Sequence, residues 1–158
     1  MPRKTYDQLA AEAADRIEEV MPWDVPELLA AHPDALLLDI RERDEFAAVR
    51  IEGALNVPRG ILEAAAEWGY PETEPELVTA RDRPVLIICR SGKRSALAAE
   101  TLSQMGFADV RSVKLGVRGW NESDQALTDA TGAALDGDDA EEIIDPALRP
   151  DQIDPAAR

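Results

Sequence analysis

The chain is predicted to be an α/β protein, with a central parallel sheet and helices packed on both faces. Three observations predict this. Apolar runs alternate with helix-forming stretches along most of the 158 residues. The length suits one compact domain with a real core. The composition, 45% hydrophobic and 31% charged with few aromatics, is ordinary for that class. In open sheets of this kind ligands collect beyond the carboxyl ends of the strands, and Asp39 and Cys89 both fall at predicted strand ends.

"TYDQ" at Thr5 to Gln8 has the form of a capping box, and Leu9, Ala13, Ile17 and Val20 follow at helical spacing, which predicts a helix to about Val20. That helix is expected to pack on its own domain, a homodimer being the alternative. Pro22 ends it. "WDVPELLAAH" predicts a short extended piece and a helix with Pro26 in its first turn. "DALLLDI" reads as a buried strand, "ERDEFAAV" as a helix and "GALNVP" as a short strand. "RGILEAAAEW" reads as a helix, followed by a Pro- and Glu-rich loop over residues 69–84. Residues 85–88 form the most apolar strand, and residues 95–105 a helix closed by Gly106. "DVRSV" is the last strand and "GVRGWNES" opens a final short helix. Beyond about Asp124 the Asp- and Pro-punctuated sequence predicts a loosely attached tail.

The net charge is −15. Residues 121–158 carry 11 acidic and 2 basic residues, hence −9, and the rest of the chain carries −6. Such a surface argues against nucleic-acid and anionic-membrane partners. The tail is read as a solvated surface rather than a dock for a basic partner. No apolar run is long enough to span a bilayer, and the first twenty residues lack the apolar segment of a secretory signal, so the expected location is cytoplasmic. One cysteine excludes an intramolecular disulfide and a structural zinc site. No metal or organic cofactor is expected.

That cysteine sits in "VLIICRSGKRSALAAETL", between a strand end and a helix start. Aligned backbone N–H groups and the positive end of the helix dipole favour an anion there. Arg90, Lys93 and Arg94 add cationic side chains, and Gly92 permits a tight backbone. Each of these favours thiolate over thiol, and a thiolate is a nucleophile. Cysteine phosphatases with a loop of this kind need Cys-x5-Arg, the arginine clasping the phosphoryl oxygens. Here Ser95 stands six residues after Cys89 and Arg94 five, a Cys-x4-Arg loop. The shorter cup suits a single terminal sulfur better than a tetrahedral oxyanion.

"CRSGKRS" resembles the active-site loop of single-domain rhodaneses. Three further stretches resemble the same family in order: "LLLDIRERDEF", with Asp39, Arg41 and Glu45; "RIEGALNVP"; and "MGFADVRSVKLGVRGW". Together they span about Trp23 to Asn121. The resemblance implies a rhodanese-like fold with a five-stranded parallel sheet, and a division into an N-terminal helix (1–21), a rhodanese-like domain (22–124) and an acidic tail (125–158). Arg50 replaces the family's usual His and Leu115-Gly116 its usual Gly-Gly, both read as scaffold positions. Glu45 stands where two-domain thiosulfate enzymes carry an arginine, and its charge is expected to repel a dianion.

The resemblance further implies a sulfurtransferase working by double displacement through a persulfide on Cys89. The loop from Arg90 through Ser91, Gly92, Lys93 and Arg94 to Ser95 would bind the donor and the persulfide. The partners would be a small anionic sulfur donor and a thiol, cyanide or protein acceptor. Asp39 and Arg41 are read as a scaffold ion pair near the rim. Arg59 is a candidate for the pocket mouth. His32, the only histidine, is read as a surface residue, leaving no histidine general base, and Trp120 as core. Two competing readings are a slow or non-catalytic sulfur-carrier module and a phosphatase or arsenate reductase on the same scaffold.

Overall fold

The computed structural model describes residues 2–157. Five strands, β1 (Glu18–Val20), β2 (Leu36–Asp39), β3 (Leu55–Asn56), β4 (Pro84–Ile88) and β5 (Asp109–Val113), form one parallel sheet in the order β1-β5-β4-β2-β3. The apolar β2 and β4 are central and pair in register, Leu36 with Val85 through Asp39 with Ile88. Successive side chains of a strand point to opposite faces. Leu36, Leu38, Val85 and Ile87 therefore join one core cluster, and Leu37, Leu86 and Ile88 the other.

The helices are α1 (Tyr6–Ala14), α2 (Val25–Ala31), α3 (Arg43–Ala48), α4 (Leu62–Ala65), α5 (Pro75–Val78), α6 (Lys93–Gln104), α7 (Gly116–Glu122) and α8 (Gly137–Ile144). The first cluster takes residues of α4, α5 and α6; the second takes Val25 of α2, Val117 and Trp120 of α7, and Ala140 and Ile144 of α8. Helix α1 packs on α6 of its own chain. Its start is capped as expected: Thr5 and Gln8 form a reciprocal capping box.

Several sequence expectations need correction. Helix α1 stops at Ala14, and Glu18–Val20 extends along β5 as the sheet's edge strand, Val20 opposite Val113. The sheet edge offered that segment hydrogen bonds along its length, which outweighed its helical spacing. Pro22 opens a 3-10 turn, Pro22–Asp24, where an extended piece was expected. "RGILEAAAEW" gives only a 3-10 turn, Arg59–Ile61, and the four-residue α4. Arg81 ends that helix by donating to the carbonyl of Ala66 at 2.8 Å. The Pro- and Glu-rich loop contains α5, with Pro75 in its first turn. Helix α6 begins at Lys93, so Lys93 and Arg94 belong to its first turn. The tail is not loose: Leu127 is 2% exposed, Ala140 and Ile144 are buried, and Thr128 bridges to Arg50. Among the described residues no helix is long and apolar enough to cross a membrane.

Candidate active site

Cys89 directly follows β4 and is 1% exposed. The chain turns back around its sulfur because Gly92 adopts φ +93°, a conformation open to glycine and strained for other residues. The N–H groups of Gly92 and Ser95 donate to Cys89 Sγ at 3.2 and 3.3 Å. Ser95 Oγ lies 3.4 Å from the sulfur and 2.7 Å from Ser112 Oγ on β5. Both serines are fully buried. The cup thus aims two amide donors and the N-terminus of a twelve-residue helix at the sulfur, while the thiol itself donates to Ser95 Oγ.

The loop is braced from behind by α7. Val117 N–H donates to the carbonyl of Cys89 at 2.8 Å and Arg118 N–H to that of Arg90 at 3.0 Å. This approach requires Gly116: a Cβ there would lie 2.3 Å from the Cys89 carbonyl oxygen. Leu115 and Gly116, scaffold positions by their sequence, form the seat of the loop. Leu115 itself adopts φ +68°, which most residues avoid.

Asp39 and Arg41 form a buried ion pair at 2.8 Å beside this loop. The Arg41 guanidinium also donates to the carbonyls of Val49 at 2.7 Å and Glu45 at 3.4 Å, so it fixes the far end of α3. Asn56 Nδ2 donates to the carbonyls of Asp39 and Arg41, both at 3.0 Å. Helix α3 in turn presents Glu45 to Arg94, two parallel hydrogen bonds at 2.7 and 2.9 Å. Burial pushes the Glu45 carboxyl up, but the bonds and charge of Arg94, the Glu42 N–H and Arg41 prevail and hold it below the ordinary range. Arg94 is held more firmly protonated than a free guanidinium.

That pairing changes two expectations. Arg94 was expected to orient an anionic donor, and Glu45 to repel one. Each is occupied by the other. Lys93 is also engaged: its Nζ lies 2.5 Å from Asp7 Oδ1 and 5.2 Å from the centre of the Tyr6 ring. Arg90 is exposed and makes no ion pair with a described residue. Ser91 is half-buried in the turn. Arg59 points away from the loop, its guanidinium 3.2 Å from Glu63 and 3.4 Å from Thr101 in the second half of α6. His32 is exposed; Trp120 is buried, donating through Nε1 to the carbonyl of Ala126.

The sequence reading missed Ser112, Tyr6, Asp7 and the α7 amides. A serine inside the apolar strand "DVRSV" was the one available signal for Ser112. Tyr6 and Asp7 meet the loop from more than 80 residues away, and nothing local announces it.

The model of one family, the rhodanese-like domain, matches residues 24–123. Human thiosulfate:glutathione sulfurtransferase is 33% identical over 109 residues, covering 63% of this chain and 92% of that protein. YrkF of Bacillus subtilis (strain 168), named as a candidate sulfur carrier protein, is 30% identical over 111 residues, 70% of this chain. The chain spans only 55% of that relative's length. A solved structure from Rhodopseudomonas palustris CGA009, of unknown function and described as a possible tyrosine phosphatase, superposes with a TM-score of 0.68 at 27% identity. It matches 79% of this chain and 97% of its own.

Proposed function

This chain belongs to the rhodanese-like domain family, and from that premise we propose that it is a sulfurtransferase carrying sulfur as a persulfide on Cys89. The observation that carries the reading is the pair of N–H groups, from Gly92 and Ser95, aimed at one sulfur in a cup with a Cys-x4-Arg loop. Cys89 thiolate attacks the terminal sulfane sulfur of a donor. The donor's S–S bond breaks and its remainder leaves with the bonding pair. The outer sulfur of the Cys89 persulfide then rests against the cup's amides. A thiol, cyanide or protein acceptor attacks that sulfur, and Cys89 departs as thiolate. One cysteine suffices, because no disulfide forms within the chain.

The names of two relatives, one a thiosulfate:glutathione sulfurtransferase and one a candidate sulfur carrier, support transfer to a thiol or protein acceptor. The phosphatase reading loses support from Arg94. A phosphoryl group needs that guanidinium for bidentate clasping, and Glu45 already holds both of its Nη groups.

The test is mass spectrometry of protein treated with thiosulfate or an organic persulfide. A gain of about 32 Da on Cys89, absent from Cys89→Ser, is the expected covalent intermediate. No adduct from any sulfane donor would end the reading. Cys89-dependent hydrolysis of an aryl phosphate would restore the competing one.

A further inference from the structure

We propose that the first turn of α1, which precedes the family-matched segment, forms one wall of the site's mouth and selects against doubly charged donors through Asp7. The inference rests on the sulfurtransferase reading and narrows its donor to an organic persulfide. Three observations carry it. Asp7 pairs with Lys93 in the turn that follows the Cys89 loop, and Tyr6 stacks beneath the same ammonium. The α1 face and the loop residues Ser91, Gly92 and Lys93 share one groove of about 480 Å³ beside the loop, and Cys89, 1% exposed, does not line it. That groove sets Lys93 and Lys114 against Asp7, Asp15 and Glu19, so its lining carries one more negative than positive charge.

The Tyr6 hydroxyl senses the whole loop. Burial raises its pKa, as does negative charge at Cys89, while Arg94, Lys93 and Arg90 act in the opposite direction. The ring is half-exposed. With Lys93 matched by Asp7 and Arg94 by Glu45, Arg90 is the one loop cation without a carboxylate among the described residues. One cation can match a persulfide's single charge and leaves half of thiosulfate's unmatched. The step balances with the persulfide: R–S–S⁻ binds as the anion and takes a proton from water on its outer sulfur, Cys89 thiolate attacks that sulfur, the S–S bond breaks, and R–S⁻ leaves with the bonding pair. R–S⁻ then takes the proton, leaving R–SH and a Cys89 persulfide anion.

The test compares the rate of Cys89 charging by thiosulfate and by cysteine persulfide, read as the mass adduct, in the full chain and in Asp7→Asn. Removing one negative charge from the mouth should speed thiosulfate by about threefold or more and cysteine persulfide by less than about twofold. The thiosulfate gain should shrink toward unity in about 1 M KCl, where the Debye length is about 3 Å. Asp7→Glu should behave like the unsubstituted chain. An unchanged thiosulfate rate, an equal gain for both donors, or a gain insensitive to salt would overturn the inference while leaving the sulfurtransferase reading intact. Failure of the unsubstituted chain to charge with either donor would overturn both.

Discussion

Glu45 and Arg94 lie 49 residues apart in sequence and meet across the mouth of the site through two hydrogen bonds. The pair joins α3 to the first turn of α6, so its titration should appear in stability as well as activity. Because the folded carboxyl titrates below its unfolded value of about 4.3, its contribution is complete above that unfolded value. It is lost as pH falls through the folded one. Glu45→Gln should therefore lower Tm by a constant amount between about pH 6 and 8, and the gap to the unsubstituted chain should narrow only once pH falls below that unfolded value. A gap that persists unchanged at low pH would show that Glu45 acts by packing alone. The Asp39–Arg41 pair differs because water does not reach it: the two residues are 0% and 1% exposed. Arg41→Leu would strand the Asp39 carboxylate and release the carbonyls of Val49 and Glu45, at a cost of about 3–5 kcal/mol in urea unfolding. A loss below about 1 kcal/mol would mean that Asp39 finds another donor. At this scale the cup itself could be read from seven consecutive residues, "CRSGKRS", because the groups that face the sulfur are its near neighbours in sequence. What engages its cations could not, because Glu45 and Asp7 arrive from other elements.

Elements position the cup through backbone contacts that side-chain patterns barely register. Helix α7 supplies two N–H groups to the carbonyls of Cys89 and Arg90, and Gly116 lets the two backbones approach. Gly116→Ala places a methyl 2.3 Å from the Cys89 carbonyl oxygen on a backbone with φ +58°. Neither that carbonyl nor the helix can yield without moving the loop. We expect a loss of about 1–3 kcal/mol in denaturant unfolding and a tenfold or greater fall in the rate of Cys89 charging. Full charging activity in a destabilised variant would sever α7 from the site. The same scale explains which elements were legible. Strands β2, β4 and β5 were marked by apolar residues at their buried positions other than Asp39 and Ser112, and α6 by its run of helix formers closed at Gly106. Strand β1 was not. Its "EEV" has two exposed side chains, and its place at the edge is fixed by pairing with β5, a partner some 90 residues downstream.

At the scale of the whole molecule, the acidic segment after Asp124 contributes Leu127, Ala140 and Ile144 to the core, while its residues 145–157 are exposed. Its acidic residues and prolines suggested otherwise, but burial is decided by a few positions. Leu127 is 2% exposed, and Ala140 and Ile144, four apart on α8, face the same cluster as Val117 and Trp120. Polar ties follow the same line: Asn121 donates to the carbonyl of Gly137 at 2.9 Å, and Arg118 pairs with Asp145. Helix α8 therefore backs α7, and α7 backs the loop that holds Cys89. Leu127→Ala should cost about 2–5 kcal/mol, as a fully buried leucine does. Removing residues 125–158 should cost more, since it also strips Trp120 and Val117 of their cover. If the chain of supports is real, the truncated protein should lose charging rate in the same proportion at temperatures well below its Tm. A truncated chain that melts and charges with sulfur as the intact one does would show that the acidic segment rests on the domain without supporting it.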